Sequence, residues 1–137
     1  MEKTGGNNLG HELGLKEKIR NFWAQEFFKN GLVHWVLIGS FFANVVNWGM
    51  LTYFIRPVDF PIILHYNVYF GVDILGSWWE SYFLPLVGVL FLAINSILGY
   101  FFYQRKERIA TYLFLLGAFI VQVGVLIAEA SIVKINF

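Results

Sequence analysis

The sequence predicts an all-α integral membrane protein: three transmembrane helices, an N-terminal amphipathic interfacial helix, and an extended, partly β-like external loop. Three observations carry that expectation. Three apolar runs are long enough to cross a hydrocarbon core roughly 30 Å thick, which takes about 20 residues as a helix. Composition agrees, since 58% of the 137 residues are hydrophobic and 14% charged, with mean hydropathy +0.60. A soluble domain carries about 25% charge, and a chain this short cannot bury so much apolar surface in its own core. Finally, Lys and Arg gather in the two segments that a three-span topology places on one side.

The elements follow in order. Residues 1–10, with "TGGNN", read as a disordered tail. Residues 11–31 place Leu15, Ile19, Phe22, Trp23 and Phe27 near helical spacing, with Lys16, Lys18, Arg20 and Gln25 elsewhere. That is the pattern of a helix lying on the cytoplasmic leaflet. The first span covers 32–55 and stops at Arg56-Pro57. Its apolar core is too long for the h-region of a cleaved signal, and no small-x-small site follows it, so it is expected to be retained. No myristoylation start is present and there is no Cys to acylate. The second span, 83–103, ends at "QRKER" and the third, 109–133, at Lys134. The spacing Ser77-x-x-Glu80 is that of a capping box, which starts the second helix near Trp78 with a kink at Pro85. Pro85 as a first-turn residue is the alternative.

Orientation follows from charge. Lys16, Lys18, Arg20 and Lys29 precede the first span, and Arg105, Lys106 and Arg108 join the second to the third. The 56–82 loop has only Arg56, and the C-terminus only Lys134. The positive-inside rule puts the N-terminus in the cytoplasm and the loop and C-terminus outside. Aromatic belts fit, with Trp35 and Tyr100–Tyr103 inside and Trp48, Tyr53, Trp78 and Trp79 outside.

Polar residues inside the spans fall on faces. Ser40, Asn44 and Asn47 share a stripe of the first helix; Gly88, Asn95 and Gly99 share one on the second; Thr111, Ala118, Gln122 and Glu129 share one on the third. At about 1.5 Å of rise per residue, Asn44 and Gln122 lie roughly 18–20 Å in from the inner end and Asn95 about 12 Å. Asn44, Asn47, Asn95 and Gln122 therefore form an intramembrane polar layer, expected to be an interhelical amide network. A polar path for an ion is the rival reading, disfavoured because no charged residue lies at mid-depth. Glu129, roughly 30 Å from the inner end, sits at the outer boundary, where a salt bridge to Arg56 or Lys134 is expected.

In the external loop "PIILHYNVYF" alternates, so His65 and Asn67 project to one side of an extended strand. Gly71 offers a turn or bulge, and Asp73 a local backbone cap. Pro61, His65-Tyr-Asn67, Asp73 and Gly76 resemble the "P-x-H-x-N … G-x-x-D-x-x-G" signature of the membrane domain in SdpI-type bacterial immunity and signalling proteins. In this chain Gly71 sits one position late and Pro61 two residues further from the His. The resemblance spans about 20 residues plus the flanking helices. It implies a bacterial inner-membrane protein with a role in toxin immunity or signal relay, and it supplies no catalytic residues.

Enzyme signatures are absent from the sequence. "LGHEL" has Leu15 where a zinc motif needs its second His, and no G-x-S-x-G occurs. One His with scattered carboxylates in the loop has no metal-ligand spacing, so no cofactor or metal is expected. The leading expectation is a non-enzymatic membrane protein with an accessory, sensing or immunity-like role through its external loop. A small transport or channel component using the amide layer is the alternative. The partner is the lipid bilayer, with self-association or assembly with another membrane subunit left open and no nucleic acid.

Overall fold

A computed structural model describes residues 25–137, together with Gly14, Glu17 and Lys18. The expected tail 1–10 lies outside the described residues, as does most of the expected helix 11–31. Helix α1 is the short turn Glu26–Lys29. Asn30 ends it and begins α2 (Gly31–Phe54), its Oδ1 accepting the backbone N–H groups of Leu32 and Val33 at 3.1 and 3.3 Å. Those donors would otherwise be left unpaired at the helix start. Phe27, which the periodicity places on a lipid-facing stripe, is instead buried, with the rings of Tyr100 and Tyr103 each 5.4 Å away. Gln25 Oε1 accepts from Tyr100 and Gln104 at 2.6 and 2.7 Å. This segment is docked onto the bundle.

The remaining helices are α3 (Phe83–Gln104) and α4 (Arg108–Asn136). Lys106, at φ 64°, turns the chain between them. With α2, and with a 3-10 turn at Trp78–Tyr82 that leads into α3, they make three helices among the described residues long and apolar enough to cross a membrane. At most 28% of any of their apolar windows is buried inside the protein. Their apolar surface faces outward, as in a membrane-embedded protein.

Helix α4 is central; α2 and α3 each pack chiefly on it and only lightly on one another. The reason is its seam of Thr111, Leu115, Ala118, Gln122, Val125, Glu129 and Ile132, all buried. These positions alternate in steps of four and three, the heptad spacing that keeps one face turned to its neighbours. Ser40, Asn44, Asn47 and Leu51 repeat the spacing on α2. Small residues allow close approach. A Cβ on Gly88 would stand 2.8 Å from Gln122 Oε1 and 2.9 Å from Asn44 Nδ2.

Residues 62–76 form a β-hairpin where the alternation predicts one extended strand. Strand β1 (Ile62–Asn67) pairs antiparallel with β2 (Gly71–Gly76), and the register slips on either side of His65. The turn needs Gly71, whose φ of +80° is strained for other residues. Ile62 is buried with Leu51, Ile55 and Ile132, so the hairpin base closes one end of the bundle. Glu80 Oε1 accepts the Ser77 N–H at 2.9 Å, as the capping-box spacing predicts. The capped segment is the 3-10 turn, and Pro85 lies in the first turn of α3.

Candidate functional site

Two groups of residues stand out: a polar seam inside the bundle and the hairpin above it. In the seam, Gln122 joins all three helices. Its Oε1 accepts from Asn44 Nδ2 at 2.9 Å, and its Nε2 donates to the Gly88 carbonyl at 2.7 Å. Asn47 Nδ2 donates to the Gln122 carbonyl at 3.3 Å, and Asn44 Nδ2 also donates to the Pro85 carbonyl at 3.1 Å. Asn44, Asn47 and Gln122 thus meet as the sequence predicts, while Asn95 does not join them. Its amide is half-buried and donates to Phe91 of its own helix at 2.8 Å. The physical reason lies in α3, which meets the layer through the carbonyls of Pro85 and Gly88, the latter with no side chain in the way.

Glu129 departs from expectation further. It is fully buried, and neither carboxylate oxygen has a hydrogen-bond partner among the described residues. Arg56 and Lys134 are exposed, and the ion pair expected between one of them and Glu129 is not formed. The heptad explains the burial. Glu129 lies seven residues beyond Gln122, on the face that packs inward.

In the hairpin, His65 Nδ1 and Asp73 Oδ1 share a bond of 2.8 Å across the strands, with side chains 57% and 41% exposed. Asp73 is therefore a cross-strand partner and not the backbone cap the sequence predicts. At such exposure the pair contributes about 0–1 kcal/mol. Asn67 stays apart, its Oδ1 accepting the Tyr69 N–H at 2.9 Å to shape the turn. Gly76 sits in a crowded spot, where a Cβ would make the side-chain ends of Leu64 and Glu80 shift, the latter's Oε2 being 2.7 Å away. The tip carries Val68, Tyr69 and Phe70, which are 84%, 91% and 85% exposed.

Asn136 was missed by sequence reasoning. Its Oδ1 accepts the Ile63 N–H and its Nδ2 donates to the Ile63 carbonyl, both at 2.8 Å. It fixes the hairpin base to the end of α4. The signal was present: Asn136 follows Glu129 by seven residues, as Glu129 follows Gln122.

The arrangement can hold three helices together from within and present a small rigid surface at one end. Among the described residues no three His, Asp or Glu side chains gather as a metal site. No protein family, curated protein or solved structure matches the chain.

Proposed function

We propose that this chain is a non-enzymatic protein of the bacterial inner membrane with an accessory, sensing or immunity-like role, acting through an external hairpin that engages a partner protein. The observation that carries the reading is the hairpin tip. Three consecutive large apolar side chains, Val68, Tyr69 and Phe70, are almost wholly exposed, on a support pinned to α4 by both Asn136 bonds. An apolar patch held on a rigid support marks an interaction surface, and aromatic side chains are the usual anchors of one. Two further points support it. The resemblance of His65, Asn67, Asp73 and Gly76 to SdpI-type proteins falls on the same hairpin. The bias of Lys and Arg to the opposite end favours an external hairpin and a cytoplasmic N-terminus. The mid-bundle amides of Asn44 and Gln122 are taken up by bonds between helices, which favours a scaffold over a polar path.

The test is a photo-reactive residue placed at Tyr69 in intact cells, with Phe41, 65% exposed on the side of α2, as the comparison. A discrete protein adduct from position 69, absent from 41 and removed by Val68→Ser with Phe70→Ser, supports the reading. Lipid adducts alone from both positions overturn it.

A further inference from the structure

Among the described residues, three buried acceptor oxygens in one seam lack a donor: Oε1 and Oε2 of Glu129, and Oδ1 of Asn47. Both residues are fully buried. Leaving such groups unpaired in a dry interior is costly, and buried polar atoms in folded proteins nearly always have partners. Their positions are related. The Asn47 amide is fixed beside α4 by its bond to the Gln122 carbonyl, with its oxygen left over. Glu129 is seven residues further on, about 10 Å along the axis, on the same face. Helical side chains lean back toward the N-terminus of their helix, so the Glu129 carboxyl reaches toward Asn47. The surroundings are apolar, including Leu51, Val125 and Ile132.

Among the described residues no cation meets this carboxyl. Helix α2 has no Asp, Glu, Lys or Arg, and its only His is His34 at the far end; α3 has no charged side chain. The 3-10 turn offers only Glu80, occupied with the Ser77 N–H. Strand β1 offers His65, which is exposed and bonded to Asp73. Lys134 on α4, and Arg56 and Asp59 between α2 and β1, are exposed.

We propose that the Glu129 carboxyl is held protonated in this seam and donates its O–H to Asn47 Oδ1. A proton needs no coordination shell, turns the buried carboxylate into a neutral acid and gives the amide oxygen its donor. The site is distinct from the hairpin tip and does not depend on the partner proposed there.

Full-length protein in lipid nanodiscs tests this with two measurements. One is labelling of Glu129 by dicyclohexylcarbodiimide, which reacts with a protonated carboxyl in an apolar setting. The other is the unfolding temperature against pH: the wild type is expected to lose stability as pH rises, and Glu129→Gln, which keeps a donor for Asn47 Oδ1 without titrating, is not. Labelling that maps to Glu129 and falls as pH rises supports the proposal, and decides alone should Glu129→Gln fail to fold. Absence of labelling at Glu129 overturns it, as does a pH profile that Glu129→Gln leaves unchanged.

Discussion

Replacing Gln122 with Leu keeps side-chain bulk and removes a side-chain amide that bonds to both neighbouring helices. Two bonds are lost, from Asn44 Nδ2 at 2.9 Å and to the Gly88 carbonyl at 2.7 Å. Asn44 keeps its bond to the Pro85 carbonyl, and the Asn47 bond to the position 122 backbone survives. One Nδ2–H of the buried Asn44 amide loses its acceptor, so the cost is at least that of the bonds themselves. At about 0.6–1.7 kcal/mol for each interhelical bond in a membrane, the loss is about 1–3 kcal/mol. The assay is reversible unfolding in bicelles, by denaturing detergent or steric trapping. Asn95→Leu is the control, since it removes only a bond within its own helix, and is expected to change stability by less than about 0.5 kcal/mol. A Gln122→Leu protein as stable as the wild type, or an Asn95→Leu cost equal to it, would refute the argument that Gln122 ties the bundle.

Three further outcomes are expected. Gly88→Ala pushes a methyl to within 3 Å of both amides and is expected to cost about 1–3 kcal/mol as overpacking; combined with Gln122→Leu the losses should fall short of additive, read from a double-mutant cycle. Asn136→Ala removes both bonds that hold Ile63, about 0.5–1.5 kcal/mol each, and limited proteolysis should then cut the hairpin faster while the helices stay protected. A Cys replacing Tyr69, 91% exposed, should react with an impermeant maleimide added outside intact cells, and a Cys replacing Lys106 should react only after lysis.

The long spans were legible because periodicity and length are local properties of the chain. The expected ranges 32–55, 83–103 and 109–133 lie within, or one residue past, Gly31–Phe54, Phe83–Gln104 and Arg108–Asn136. The stripe of Thr111, Ala118, Gln122 and Glu129 was legible for the same reason and is buried throughout. The hairpin was legible only in part. Alternation identified β1, but β2 reads "GVDILG", whose two Gly and Asp are poor strand formers. The cross-strand meeting of His65 and Asp73 depends on a register slip at His65 that no local pattern encodes.

The amino-acid sequence by itself determined how many long apolar helices form, which face of each carries polar side chains, and which end gathers the basic ones. These follow from a rise and a turn angle that are the same in every helix. The tertiary structure decided which polar residue found which partner. Gln122 reached across to α2 and α3, Asn95 turned back on its own helix, and Glu129 was enclosed without a counter-charge. A face says where a side chain points, but only the packed neighbour, with its glycine gap at Gly88 and its carbonyl at Pro85, says what it meets.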